Sequence, residues 1–108
     1  MFKQTVKLAG TSFGNTKRHV RTFGNADIGR FCLDREPDNP HDPNAIKVTV
    51  AGVVFLGYLP REVAKELAPL MDQGKKFMAY FVSRDENRAF GTLGLTVRIE
   101  ECPCQEAA

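Results

Sequence analysis

Hydrophobic and polar residues alternate along several short stretches of the chain, which is the pattern of strands with one buried face. Four of these stretches lie in the N-terminal half, at residues 2–10, 29–36, 45–50 and 53–59. In the third stretch, Ile46, Val48 and Val50 fall on one face. A two-residue connection at 51–52 joins the last two stretches, which predicts a β-hairpin.

The pattern changes to a helical period after this hairpin. In residues 60–74, apolar residues recur at helical spacing on one face, namely Val63, Leu67, Leu70 and Met71. Pro60 suits the first turn of this helix, where its missing N–H has no partner to lose. Strands are predicted again at 75–82 and 92–100, joined by a charged turn at 83–91.

Two segments carry no clear period. Residues 11–25 are rich in Gly, Asn, Thr and basic side chains, and are interpreted as a long basic loop or an irregular helix. Residues 101–108 are expected to fray as a tail. The elements predict one domain at residues 1–100 with a mainly β fold and short helices (α+β). We expect a small OB-like or SH3-like β-barrel of five to six strands, with one clear helix after the central hairpin.

Length and composition are those of one small globular domain. The chain has 108 residues, of which 43% are hydrophobic and 26% are charged, enough for a single modest core. No apolar run approaches the roughly 18 residues of a membrane span, and the N-terminus has no apolar stretch of signal-peptide length. A cytoplasmic protein is therefore expected.

The charge is unevenly distributed along the chain. The formal net charge is +2, but residues 1–35 hold seven basic and two acidic side chains, a net of +5. The remainder, with eight basic and eleven acidic side chains, has a net of −3. The basic third forms either one electropositive face for an anionic partner such as nucleic acid, or an unevenly solvated surface.

The three cysteines do not form a recognisable framework. Cys32 lies in a predicted strand, whereas Cys102 and Cys104 form a Cys-Pro-Cys sequence near the C-terminus. An odd count argues against a closed set of disulfides, and structural zinc needs about four ligands. Cys102 and Cys104 are weak candidates for metal ligands, and no cofactor is expected.

Motifs for catalysis are missing from the sequence. It contains no P-loop, no dinucleotide-binding fingerprint and no cluster with metal-ligand spacing. His41 and Asp42 have the residue types of an acid–base pair, but neighbours in an extended segment point in opposite directions. The sequence therefore predicts a binding protein and not an enzyme.

A proline-rich loop precedes the central hairpin. Pro37, Pro40 and Pro43 recur every third residue in REPDNPHDPNAIKV, residues 35–48. Proline fixes φ and disfavours helix in the preceding residue, so this loop is stiff and loses little entropy on ordering. Such a loop is either a turn whose Asn and Asp side chains bond their own backbone, or an edge that aims polar groups at a ligand.

This loop, together with GVVFLGYLPREVAKELAPLMDQG at residues 52–74, resembles the HIRAN domain family. The similar blocks are Arg-Glu-Pro-x-Asn-Pro-x-Asp-x-Asn-Ala-Ile and, downstream, Gly-Tyr-Leu-Pro. The resemblance runs from about Lys7 to Glu100. It implies an OB-like barrel that recognises single-stranded DNA at a 3′ end, in DNA repair or replication, with a helicase or nuclease as a possible partner.

The resemblance also implies a set of nucleic-acid-binding residues. They are Lys7, Arg35, Asn39, His41, Asp42, Tyr58, Arg61 and Phe90. In this interpretation Asn39 and Asp42 make polar contacts, with Asp42 accepting a hydrogen bond from the terminal 3′-hydroxyl. His41 and Phe90 offer rings, and Tyr58 and Arg61 meet base and phosphate. Val6 and Lys7 stand where eukaryotic members carry Arg-Tyr, and a lysine cannot bind phosphate bidentately.

Each candidate residue also has a purely structural explanation. Asn39 and Asp42 suit Asx-turns, Tyr58 and Phe90 suit a core, and Arg61 suits a solvated helix surface. Two functions therefore stay open, a non-catalytic nucleic-acid-end-binding module and a protein-interaction adaptor for a DNA-processing enzyme. The zinc-binding and ATP-hydrolysis activities of helicase fusions in this family are a lesser alternative.

Overall fold

The computed structural model describes residues 3–12, 14–87 and 89–102, and these form strands and two helices. The strands are β1 (Lys3–Lys7), β2 (Arg30–Arg35), β3 (Ile46–Val50), β4 (Val54–Tyr58), β5 (Phe77–Asn87) and β6 (Thr92–Glu101). Helix α1 (Gly14–Phe23) follows β1, and helix α2 (Arg61–Asp72) follows β4.

All six strands belong to one antiparallel sheet in the order β1-β6-β5-β2-β3-β4. Its two edges meet just beyond β1. The Ala9 N–H donates to the Tyr58 carbonyl at 2.8 Å, and the Tyr58 N–H donates to the Ala9 carbonyl at 2.9 Å. The sheet is therefore curled into a half-barrel, and the predicted mainly β, OB-like fold is confirmed.

One face of the curled sheet and one face of each helix enclose the core. The largest fully buried side chains are Phe31, Ile46, Leu56, Leu67, Leu95, Ile99, Val20, Val48 and Val97. Helix α2 buries Val63 and Leu67 as its period predicts, whereas Leu70 and Met71 are half-buried at its end. Among the described residues, no helix combines the length and apolar character needed to cross a membrane.

The segment interpreted as a basic loop or an irregular helix contains the regular helix α1. Its sequence is mostly polar, and Val20 is its fully buried residue. The helix is stabilised from outside its own sequence, because the Arg84 guanidinium donates to the carbonyls of Val20 at 3.2 Å and Arg21 at 2.6 Å. A cation at the last carbonyls of a helix satisfies acceptors that have no partner within the helix.

The prediction of a charged turn at 83–91 is wrong, because the turn is much shorter than that. Strand β5 continues to Asn87, which pairs with Thr92 of β6. In the sequence, these charged residues look like a turn because the hairpin arm that they form is exposed. In this arm, Glu86 accepts from the Arg21 side chain of α1, and Arg84 donates to backbone carbonyls of α1. At the other end, β6 includes Glu101, and the predicted tail beyond residue 102 lies outside the described residues.

The turn between β3 and β4 carries local backbone strain. The Val53 N–H donates to the Val50 carbonyl at 3.0 Å, and the two residues between them have positive φ, 57° at Ala51 and 74° at Gly52. Two positive φ values define a type I′ turn, in which asparagine is preferred to alanine at the first position. The predicted tight hairpin is therefore present with an unfavourable residue.

Ala51→Asn should raise the free energy of unfolding by about 0.5–1 kcal/mol, because asparagine tolerates the left-handed conformation. Urea denaturation measures the change. Ala26→Asn, at an exposed turn position without positive φ, is the matched control and should change stability little. An equal effect of both substitutions would contradict the strain argument.

Gly57 allows the two sheet edges to approach. Its φ is 146°, and a Cβ atom there would lie 2.8 Å from the Ala9 carbonyl oxygen. Gly57→Ala should therefore cost more than about 2 kcal/mol in stability, since strain and a backbone clash add. Gly52→Ala isolates the strain alone, because its φ is 74° and no atom lies within 4 Å of the added Cβ. Similar losses in both variants, measured by urea denaturation, would show that the edge contact adds nothing.

Candidate nucleic-acid interface

A cleft of about 320 Å³ opens where the sheet edges meet. It is lined by Ala9, Asn39, His41, Asp42, Ala45, Tyr58, Leu59 and Arg61. The lining comes from the proline-rich loop on one side and from the junction of β4 and α2 on the other. The fold thus brings five of the eight residues implied by the family resemblance to one concave surface.

The loop side of the cleft is held by its own side chains. The Asn39 Oδ1 atom accepts from the backbone N–H groups of His41 at 2.8 Å and Asp42 at 3.0 Å. Asp42 Oδ1 accepts from the Asn44 N–H at 2.9 Å. These are the Asx-turns that a purely structural role of Asn39 and Asp42 predicts, and both residues also line the cleft. Together with the prolines, they fix the direction of each loop side chain.

A glutamate that sequence reasoning did not assign ties the two sides together. Glu36 Oε1 accepts from the Tyr58 hydroxyl at 2.8 Å and from the Asn39 Nδ2 at 2.7 Å. Glu36 comes directly before Pro37 in the quoted motif, but the sequence alone indicates no role for it. Its acceptor oxygen joins β4 to the loop across the barrel end.

These hydrogen bonds fix protonation states. The bond from Asn39, followed by the bond from Tyr58, lowers the pKa of Glu36. Burial raises the pKa of Tyr58, and its hydrogen bond to Glu36 raises it further. Tyr58 therefore keeps its proton and directs it at Glu36. The Phe55 ring packs edge-on against the Tyr58 ring, with centroids 5.1 Å apart.

Asp42 and Arg61 form a loose ion pair at the cleft mouth. Asp42 Oδ2 lies 3.7 Å from Arg61 Nε, beyond hydrogen-bond length. The Asp42 side chain is 19% exposed and that of Arg61 is 74% exposed. Arg61 is the first residue of α2, whose N-terminus has no side-chain cap among the described residues. Asp42 Oδ2 can therefore accept a further hydrogen bond, and the Arg61 side chain is open to solvent.

Three implied residues lie away from this cleft. Lys7 lines a separate cavity of about 400 Å³ beside Gly94 on β6. Phe90 is 79% exposed in the β5–β6 turn and does not line the cleft. Arg35 donates to the carbonyls of Pro43 at 3.0 Å and Ala45 at 3.1 Å, which holds the end of the loop.

Arg35 also joins the loop to α2. Its Nε and Nη2 atoms donate to the two carboxylate oxygens of Asp72 at 3.0 and 3.2 Å. The hydrogen bond from Arg35 lowers the pKa of Asp72. A guanidinium occupied in this way positions the loop but has few donors left for a ligand.

The cysteines give no metal centre within the described residues. Cys102 is half-buried and lines a third cavity with Cys32, and Cys104 lies outside the described residues. No group of three or more His, Cys, Asp or Glu side chains is placed to hold a metal in the part that the structure describes.

Glu36→Gln should lower the pKa of Tyr58 towards its ordinary value, because the phenolate would no longer face a carboxylate. Spectrophotometric titration in a Tyr80→Phe background isolates Tyr58, since the chain has two tyrosines. Glu36→Gln should also remove part of the acid dependence of stability. With its pKa lowered on folding, Glu36 stabilises the fold above the ordinary glutamate pKa, and this contribution is lost as the pH falls through the lowered value.

Glu66→Gln on the exposed face of α2 is the matched control for this experiment. It should leave both the titration of Tyr58 and the acid dependence of stability unchanged. An unchanged Tyr58 pKa in Glu36→Gln would contradict the proposed coupling between the two side chains.

Solved structures show the same fold. The chain superposes on the crystal structure of the HIRAN domain of human HLTF with a TM-score of 0.64 at 21% identity, covering 92% of this chain and 74% of that one. It superposes on the crystal structure of a protein from Lactobacillus plantarum with a TM-score of 0.66 at 25% identity, covering 94% of this chain and 100% of that one.

Curated relatives match over part of the chain. A Fanconi-associated nuclease 1 homolog of Oryza sativa subsp. japonica is 60% identical over 46 residues, which is 40% of this chain and 5% of the relative. A helicase-like transcription factor of Oryctolagus cuniculus is 43% identical over 59 residues, 55% of this chain and 6% of the relative. The chain thus corresponds to a small part of each. The HIRAN domain family model matches residues 1–101, and the chain belongs to the HIRAN domain family.

Proposed function

We propose that this chain is a non-catalytic nucleic-acid-binding module whose cleft holds the 3′-hydroxyl end of a DNA single strand. Family membership supports the nucleic-acid-binding part of this proposal. The observation that carries the end-binding part is the convergence of Asn39, His41, Asp42, Tyr58 and Arg61 on one cleft. The domain at residues 1–100 is proposed to be the binding unit.

The hydrogen-bonding character of the cleft favours a hydroxyl donor. Asp42 Oδ2 is a carboxylate acceptor, and the nearest Arg61 nitrogen lies beyond hydrogen-bond length at 3.7 Å. A terminal hydroxyl donates to such a site, whereas a terminal phosphate brings negative charge to the Asp42 carboxylate. A hydrogen bond to a charged group contributes about 1.5–3 kcal/mol, a preference of roughly ten- to a hundredfold.

The size and rim of the cleft fit one terminal nucleotide. Its volume of about 320 Å³ lies at the lower end of the range for small-ligand pockets, about 300–1,000 Å³. The exposed His41 ring on the rim offers a face for base stacking, which tolerates any sequence. The exposed guanidinium of Arg61 and the uncapped start of α2 suit a backbone phosphate.

The relatives suggest the setting in which such a module works. By their names, they are a nuclease homolog and a helicase-like factor. We propose that the chain acts in DNA repair or replication in the cytoplasm, beside a partner of one of these kinds. Binding of strand ends would then deliver the partner to its site of action.

Labelled single strands with a 3′-hydroxyl or a 3′-phosphate test the proposal directly. The wild-type chain should bind the hydroxyl end at least tenfold more tightly, as measured by fluorescence anisotropy. Asp42→Asn should abolish this preference, because it keeps an oxygen for the Asn44 N–H but replaces the other acceptor with an amide. Arg61→Ala should weaken both strands alike and reduce the salt dependence.

Asp38→Asn is the matched control, since Asp38 is an exposed carboxylate of the same loop that does not line the cleft. It should keep the preference. Equal affinity of the wild-type chain for both ends would remove the end-recognition proposal. No binding of either strand at low salt would favour the protein-interaction adaptor instead.

A further inference from the structure

A second surface, the outer face, lies on the side of the sheet turned away from the core. Along β1, β6, β5 and β2, buried residues such as Val6, Val97, Ala79 and Phe31 alternate with residues that point outward. The outward residues that form the outer face are Lys3, Thr5, Lys7, Arg30, Cys32, Asp34, Met78, Tyr80, Thr96, Arg98 and Glu100.

The register of the strands places four outer-face residues in one row. Thr5 lies opposite Arg98, Arg98 lies opposite Tyr80, and Tyr80 lies opposite Arg30. Directly opposite residues in a sheet share a face and are in contact range. The row crosses four strands, and with about 4.8 Å between neighbouring strands it is about 14 Å long.

An aromatic ring and a guanidinium form the centre of this row. The Arg98 guanidinium carbon lies 5.4 Å from the centroid of the Tyr80 ring, within the range of a cation–π contact. Tyr80 is half-buried, and the Arg98 side chain is 41% exposed. Arg98 therefore stays accessible while the ring supports it from below.

Positive charge exceeds negative charge on the outer face. Its cations are Lys3, Lys7, Arg30 and Arg98. Its carboxylates are Glu100, which pairs with Arg98, and Asp34, which accepts from the Thr49 hydroxyl at 2.8 Å, and Asp85 lines a cavity beside Lys7 at one end of the face. Among the described residues, the side chains of Lys3, Lys7 and Arg30 have no carboxylate within 4.0 Å.

Neither helix covers this surface in the part of the chain that the structure describes. Helix α1 buries Val20 and helix α2 buries Leu67 in the core, on the opposite side of the sheet. Lys3, Thr5, Lys7 and Arg30 are exposed. A sheet face that keeps several cations accessible has charge complementary to a polyanion.

We propose that the outer face binds a nucleic-acid single strand through its phosphates and one stacked base, wherever along the strand they lie. Arg30, Arg98 and the two lysines neutralise phosphates, and the Arg98 guanidinium, which the Tyr80 ring supports, offers its outer plane to a stacked base. A guanidinium plane on an open sheet face can be reached by an unstacked base but not by a base inside a duplex, which favours a single strand. The proposal is independent of the cleft, because it requires no strand end.

Closed circular single-stranded DNA is the probe that separates the two surfaces, since it has no 3′ end. The wild-type chain should bind the circle with a marked salt dependence. The double variant Arg30→Ala/Arg98→Ala should bind it at least tenfold more weakly, with the slope of log K against log salt smaller by about 1.4 for two phosphate contacts. Tyr80→Leu should weaken binding about fivefold or more.

The double variant Arg18→Ala/Lys75→Ala is the matched control. It removes the same charge from exposed positions on α1 and after α2. Its affinity for the circle should stay within about twofold of the wild type, and urea denaturation verifies that all variants are folded. Failure of the wild type to bind the circle, or an equal loss in the control, would overturn the proposal. Unchanged binding by Tyr80→Leu would overturn the stacking part. If the wild-type chain binds the circle but shows no preference for 3′-hydroxyl ends, the cleft proposal fails and the outer-face proposal stands.

Discussion

The architecture depends on two backbone hydrogen bonds between Ala9 and Tyr58. They join β1 and β4, which are the opposite edges of the sheet, and so convert a curled sheet into a half-barrel. A net contribution of about 1 kcal/mol per bond is small, but each bond also removes an unpaired edge group. The closure requires Gly57, because a side chain there would meet the Ala9 carbonyl. The glycine of the Gly-Tyr-Leu-Pro block thus has a steric reason, and the tyrosine that follows it is placed at the cleft.

The Glu36 carboxylate is the second constraint, and it determines the hydrogen-bonding pattern of the cleft more than the shape of the fold. One oxygen accepts from both Tyr58 and Asn39, so the orientation of the Asn39 amide is determined. Its carbonyl then faces the loop, where it accepts from His41 and Asp42. A single ionised group therefore sets which cleft atoms accept and which donate. The prolines limit the loop conformation, and Glu36 selects one hydrogen-bonding pattern within it.

The sequence predicts local elements well and long-range relations poorly. The strands, the central hairpin and α2 follow from hydrophobic period and turn residues, because these signals are local. Helix α1 is ambiguous in the sequence because Arg84, 60 or more residues away, supplies the hydrogen-bond donors for carbonyls at its end. The long β5 arm resembles a turn in the sequence, since exposed charged residues look alike in a turn and in a strand that faces water.

In the candidate site, too, the sequence predicts local features better than long-range contacts. The motif indicates the residues of the cleft, but not which of them touch one another. Arg35 belongs to the same motif, yet its donors serve Asp72 and the loop carbonyls, and that assignment depends on the end of α2. Glu36 escapes sequence reasoning because a lone carboxylate in a polar loop gives no signal until its partner Tyr58, 22 residues later, is brought beside it.

Folding also separates the basic N-terminal third into groups with different roles. Arg35 is neutralised by Asp72, Arg21 pairs with Glu86, and Lys3 and Arg30 lie on the outer face. The cleft itself balances Asp42 against Arg61, so it has little net charge with which to attract a polyanion. Long-range attraction follows net charge, whereas discrimination between strand ends follows short-range hydrogen bonds. In the proposed arrangement, the outer face therefore supplies most of the salt-dependent affinity, and the cleft supplies selectivity at little cost in charge repulsion.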